Sequence, residues 1–169
     1  MSGKVNALLR PATKHDIDKI FEWWTNGEIM QSVGYPLGLP IAKKDIEQSL
    51  KYYEETDDAA FLIILSEAEK EIGEFAYAKI STNTYTFDIK IGESQYQGKG
   101  YGKKALLEGL KMMQKQKDCE RIEINVAPEN KKALGLYKSV GFKFVHKKED
   151  NWKDQLGNLR STEVLELTF

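Results

Sequence analysis

A chain of 169 residues suits one domain with one core, read here as a single unit over residues 1–169. Apolar residues make up 41% and charged residues 30%, with a net charge of −1, so no strong overall field draws the chain to nucleic acid or to a membrane. Cys119 is the one cysteine, which excludes an internal disulfide and makes a reducing compartment, the cytoplasm, the expectation.

The opening MSGKVNALLRPATKHD has no long apolar core, so no signal peptide is expected, and no apolar run approaches the roughly 20 residues of a membrane helix. ALLRPAT, residues 7–13, reads as a short strand and turn. Thr13 with Asp16 resembles a capping box, with Asp in place of the usual Glu or Gln. Ile17, Ile20, Phe21 and Trp24 then recur at helical spacing. GYPLGLP, residues 34–40, breaks the chain before a second helix that carries Ile46, Leu50 and Tyr53 on one stripe. From Ala59 the period changes to that of strands. AAFLIIL is a buried run, EIGEFAYAKI alternates, STNT turns, and YTFDIKI (residues 85–91) alternates again, which predicts an antiparallel meander.

A glycine loop follows, with a helix to about Lys117, and RIEINVA (121–127) is a further strand. PENKKALGLYKSVGF opens as a helix start and stops at Gly141. FKFVHKKE and STEVLELTF form a last pair of strands, with residues 152–159 as the loop between them. The order β-α-α-β-β-β-α-β-α-β-β predicts a mixed α/β fold.

The loop SQYQGKGYGKK places Gly98, Gly100 and Gly102 at alternate positions just before a helix. Glycines let backbone N–H groups approach a ligand, and a helix N-terminus adds partial positive charge, so the pair suits a phosphate or pyrophosphate. Lys99, Lys103 and Lys104 would add attraction; the plainer alternative is a flexible turn with solvated lysines. A Walker loop is excluded because Gly100, not Ser or Thr, follows Lys99. A dinucleotide fingerprint is excluded because position 103 is Lys, and the preceding strand reads as antiparallel to its predecessor, so no βαβ unit is expected.

Gln97-Gly98-Lys99-Gly100-Tyr101-Gly102 does match Q/R-x-x-G-x-G/A, and the wider run IGESQYQGKGYG resembles that of GNAT acyl-CoA N-acyltransferases of the RimJ/RimL-type branch. Asn130, Ala133, Tyr137, Gly141 and Phe142 resemble the same branch's second motif, and NGEIM and GNLRS its shorter elements. The resemblance implies a GNAT fold: a central, mostly antiparallel sheet splayed between the fourth and fifth strands, with helices on both faces. It implies acetyl-CoA as co-substrate, with the pyrophosphate on residues 97–103 (Gln97, Gly98, Lys99, Gly100, Tyr101, Gly102, Lys103), the pantetheine arm along Ile89, Lys90 and Ile91, and Asn130 and Tyr137 beside it.

Acetyl transfer to an amine needs a base for the ammonium, a donor for the thioester oxygen and a proton for the leaving thiolate. Tyr137 is the candidate acid, since a tyrosine titrating near ~10 is balanced against an alkyl thiol; its alternative is a core tyrosine on the face of Ala133, Leu136 and Val140. Thr86 stands where many members carry a glutamate, and threonine is no base near neutral pH. Asp88, two residues on and on the same sheet face, is the candidate base acting through a water, with Glu123 and Glu28 as alternatives, or no single base at all. A main-chain N–H near Ile91 is the expected oxygen donor.

Trp23, Trp24, Tyr35, Tyr52 and Tyr53 are candidates for the acceptor wall, with Trp24 read as core. The branch implies a protein N-terminal α-amine as acceptor; a small amine such as a polyamine or aminoglycoside is the alternative, and Thr86 favours a third reading, a regulator that binds acyl-CoA without turnover. A homodimer is compatible with the resemblance, though no residue here names an interface. His15, His146 and Cys119 lack partners at metal spacing, so no metal site is expected. The acidic run at Glu54, Glu55, Asp57 and Asp58 and the lysine-rich spans read as solvated faces, so no nucleic acid is expected as partner.

Overall fold

The computed structural model describes residues 8–169, so Ala7 of the expected first strand lies outside the described residues. Strand β1 (Leu8–Pro11) runs into a 3-10 turn where the capping box forms: the Thr13 N–H donates to Asp16 Oδ2 at 2.8 Å, and the Thr13 hydroxyl accepts from the His15 N–H. Arg10 also clasps the buried Asp16 with two 2.8 Å bonds, which ties β1 to the start of the first helix.

Helix α1 (Ile17–Trp24) is followed by a four-residue helix α2 (Gly27–Met30), then, past the break at residues 34–40, by α3 (Lys43–Glu54). The meander is β2 (Ala59–Leu65), β3 (Glu71–Ser81) and β4 (Thr84–Ile91), paired antiparallel. Then come α4 (Tyr101–Gln114), β5 (Arg121–Val126), α5 (Lys131–Ser139), β6 (Lys143–Lys153) and β7 (Leu159–Thr168). β6 continues through Trp152 and Lys153, which the sequence placed in a loop, because the Trp152 ring finds a seat against Gly34 and the Arg160 guanidinium.

The seven strands form one sheet in the order β1-β2-β3-β4-β5-β7-β6. β4 and β5 are parallel, so β4-α4-β5 is a βαβ unit after all. The expectation to the contrary looked only at β4's partner on one side; the partner on the other side is β5. Alternation along the strands then sorts two cores. Ile20, Trp23 and Ile46 from α1 and α3 cover Phe61, Ile63 and Ala76 on one face. Leu106, Leu110 and Met113 of α4, with Leu134 of α5, cover Phe75, Tyr85 and Phe87 on the other. Fully buried side chains such as Ile20 and Ile63 are each worth about 1.5–3 kcal/mol of burial.

Candidate active site

β4 and β5 pair only at Thr84–Arg121 and Tyr85–Ile122, and beyond those pairs the two strands separate. The N–H of Gly92 donates to Ile72 O at 2.8 Å, toward β3. Main-chain direction alternates along a strand, so Lys90 also faces β3, while Ile89 and Ile91 face the gap between β4 and β5. The Gln97 side chain takes the Ile91 carbonyl at 2.9 Å, which fastens the following loop to the strand end. The N–H groups of Ile89 and Ile91 thus stand ready for a ligand in the gap. Lys90 does not: its main-chain groups are turned toward β3, and its side chain, 11% exposed, lies on the face of α1 and α3.

Trp23 fixes where β4 ends. A β-carbon on Gly92 would stand 2.4 Å from the Trp23 ring, so only glycine lets the strand exit there, and the Trp23 indole holds Glu93 at 2.8 Å. Gly98 and Gly100 then adopt left-handed backbone, with φ of 70° and 92°. Gly100 caps α4, and the first helical bond runs from the Lys104 N–H to Gly100 O at 3.2 Å. The amides of Tyr101, Gly102 and Lys103 precede that bond and point out of the helix end.

Lys99 and Lys103 are exposed around them. Lys132 of α5, which the motif did not mark, brings its Nζ to 3.8 Å from where a β-carbon on Gly98 would stand. Three outward amides, a positive helix end and Lys132 beside Gly98 fit a pyrophosphate. Tyr101 can contribute only its amide, because its side chain is buried, edge-on to Tyr96 and bonded to Glu67. Asn130 caps α5 through Oδ1, which accepts the Ala133 N–H at 3.2 Å.

On the face of α1 and α3 a cavity of about 430 Å³ reaches the gap, since Thr86 and Asp88 of β4 and Asn125 of β5 all line it. Trp24, Tyr53 and Phe61 make its aromatic wall. Trp24 is therefore wall and Trp23 core, the reverse of the sequence expectation, because the short α1 turns Trp23 squarely onto the sheet, leaving it 1% exposed. Tyr52 and Tyr35 face outward. Tyr137 approaches the gap from the opposite face, its ring edge-on to Phe87 at 5.7 Å and to Phe142 at 5.9 Å. Burial, and then the charge of Asp88, push the Tyr137 hydroxyl well above tyrosine's usual range. It is thus a more tenacious proton holder than the expected value near ~10.

Asp88 lines the cavity, but it is half exposed and paired with Lys90. Glu123 is engaged by Arg121 at 3.0 Å, and Glu28 lies on the outer surface of α2; neither lines the cavity. The carboxylate that does lie inside is Glu74 of β3, 2% exposed and bonded by the Trp24 indole at 2.5 Å. Burial pushes it up to about 7, with Asp88 adding to the rise and Lys90 and Trp24 opposing it. Sequence reasoning passed over Glu74. Its signal was an acid in a covered strand on the face of the small Ala76 and Ala78, where space is left for a ligand.

A second cavity, of about 380 Å³, opens beside the first: Asn125 lines one and Ala127, two residues on, lines the other. Its walls include Pro36, Glu129 and Asn130, with Leu156 and Arg160 from the β6–β7 hairpin. Gln155 closes this rim by accepting the Leu37 N–H at 2.8 Å and donating to Gly38 O at 3.0 Å. Among the described residues no group of three or more His, Cys, Asp or Glu could hold a metal ion, and no helix is long and apolar enough to cross a membrane.

The family model described as acetyltransferase (GNAT) domain matches residues 6–143. Alpha/beta-tubulin-N-acetyltransferase 9 of Drosophila melanogaster is 25% identical over 150 residues, covering 80% of this chain and 74% of that protein. The spermidine N-acetyltransferase of Vibrio cholerae, solved with CoA and spermine, superposes with a TM-score of 0.86 at 19% identity, over 96% of this chain and 95% of the other. The ribosomal-protein-alanine N-acetyltransferase of Brucella melitensis gives 0.84 at 15% identity, over 96% and 99%.

Proposed function

The chain belongs to the GNAT acetyltransferase family as an acetyl-CoA-dependent N-acetyltransferase, and from this premise we propose that its acceptor is the α-amine of a polypeptide N-terminus, as in the RimJ/RimL-type branch. The observation that carries this reading is the charge of the acceptor cavity. Glu74 and Asp88 are its acids, and Lys90 pairs with Asp88 and faces Glu74, so ionised carboxylates leave one net negative charge. One ammonium balances that charge; the further cations of a polyamine or an aminoglycoside would meet in the second cavity only Glu129 and Asp154, both already paired with Arg160. The second cavity, with the exposed Leu37 and Leu156 at its rim, gives the residues after the first a place to lie. Two of the relatives are named for protein acceptors, although the spermidine enzyme is named for a polyamine.

The coenzyme supplies an activated acetyl thioester. Around it the amides of residues 101–103 and Lys132 hold the pyrophosphate, and the Ile89 and Ile91 N–H groups donate to the arm and to the thioester oxygen. Tyr137 presents its hydroxyl to the departing sulfur, and Asp88 draws the ammonium to the gap. The acceptor is tested by thiol release from acetyl-CoA with peptides bearing free or blocked N-termini, spermidine and an aminoglycoside. Free-N-terminus peptides are expected to give the highest kcat/KM. A higher value for spermidine overturns the acceptor assignment, and coenzyme binding without any acceptor-stimulated release leaves a non-catalytic binder.

A further inference from the structure

We infer that Glu74, on the strand before the one that carries the motif glutamate in relatives, is the catalytic base that takes the proton from the acceptor's ammonium. The inference rests on the acetyl-transfer reading above. Glu74 projects from β3 into the acceptor cavity directly across the register from Lys90, with Asp88 two pairs further along and on the same face. The vacancy at Thr86 is thus filled from the neighbouring strand: Thr86 pairs with Ala78, and Glu74 lies on the same face as Ala78, four residues earlier.

Geometry separates Glu74 from Asp88. Asp88 has 54% of its side chain exposed and is held by Lys90, so solvent and a fixed cation occupy its oxygens. Glu74 is enclosed, and its one polar partner in the wall is the Trp24 indole, which donates to Oε1 and fixes the carboxyl plane. The charged or titratable groups facing Glu74 are Lys90 and Asp88 from β4 and Tyr53 from α3; α1 contributes the uncharged Trp24, and β2 contributes Ile63. Burial that raises a carboxyl toward neutrality makes it a better proton acceptor at working pH than an exposed one.

The step balances. An N–H bond of the ammonium breaks and its proton passes to Glu74. The freed lone pair forms the C–N bond as the thioester C–S bond breaks. The second nitrogen proton ends on the thiolate through the Tyr137 hydroxyl, and Glu74 returns its proton to water.

The test is the pH profile of kcat/KM with a free-N-terminus peptide. The wild-type profile is expected to show an acidic limb near neutral pH. Glu74→Gln keeps the volume and an acceptor oxygen for Trp24. It is expected to lower kcat/KM by roughly 10²–10⁴ at neutral pH and to abolish the limb. Its rate should instead climb with the acceptor's own deprotonation, while the coenzyme A Kd changes less than twofold. Should that variant not fold, Lys90→Met is expected to move the limb to higher pH and Asp88→Asn to lower pH, because one removes a cation and the other an anion facing Glu74. An unmoved limb in Glu74→Gln, or in both of the others, overturns the assignment of the base alone. Absence of amine-dependent release from the wild type overturns the acetyl-transfer reading and this one with it.

Discussion

The Trp24 indole donates to Glu74 Oε1 at 2.5 Å, which makes a wall residue of the acceptor cavity the hydrogen-bond partner of a carboxyl that burial lifts to about 7. That lift links the cavity to stability. An unfolded glutamate titrates near 4.5, so between there and about 7 the folded protein binds more protons than the unfolded chain. The Glu74 contribution is fully present below 4.5 and is lost as the pH rises through about 7, by up to about 3 kcal/mol. Glu74→Gln should remove this loss. In urea unfolding at several pH values, the mutant should gain on the wild type from pH 5 to pH 8; a constant difference would mean that Glu74 is not lifted.

Tyr137→Phe isolates the hydroxyl from the ring. The edge contacts to Phe87 and Phe142 survive the change, so packing is preserved. The expected outcome is a fall in kcat of roughly 10²–10⁴ with an unchanged coenzyme A Kd. Because Tyr137 holds its proton tightly, no basic limb from its ionisation is expected in the wild-type profile below pH 10. An unchanged kcat at saturating substrates rules the proton role out.

Much of this was legible in the chain because local rules reach it. The capping box at Thr13 and Asp16, the stop at Gly141 and the alternation of β4 are each set by residues within a few positions, and each stands in the structure. What was not legible depends on partners distant in sequence. Glu74 is a base candidate only because α1, fifty residues earlier, delivers Trp24 over it. Lys90 left the coenzyme gap because hydrogen-bond parity with β3, not its place in the motif, sets where its main chain points. Trp152 stayed in strand because Gly34, on a different loop, makes room for its ring.

Gly100→Ala tests the anion cradle without filling it. Beyond the adjoining backbone, no atom lies within 4 Å of where the new β-carbon would stand, so no packed side chain is displaced. The cost is conformational: φ of 92° is left-handed, and an L-residue there is disfavoured by roughly 1–2 kcal/mol. Relaxing toward negative φ turns the amides of residues 101–103 away from their common focus. The coenzyme A Kd by calorimetry is expected to rise at least tenfold with only a small drop in melting temperature. Lys132→Met should raise the Kd less, and by a factor that shrinks as salt is added, because its share is Coulombic.

Gln155→Ala separates the acceptor rim from the chemistry. Its two bonds, to the Leu37 N–H and the Gly38 carbonyl, fasten the β6–β7 loop to the loop between α2 and α3. Each is worth about 0.5–1.5 kcal/mol net; the Gln155 N–H bond to Gly34 O at 2.8 Å survives the change, so the rim loosens locally at Leu37 and Gly38. Neither Glu74, Tyr137 nor the glycine loop touches Gln155 in this network, so the reacting groups keep their places. The expected result is a KM for the peptide acceptor raised roughly three- to tenfold, with kcat and coenzyme affinity unchanged, as for removal of uniform binding. A matching fall in kcat would show that the rim also positions the amine, and an unchanged KM would remove the second cavity from the acceptor's path.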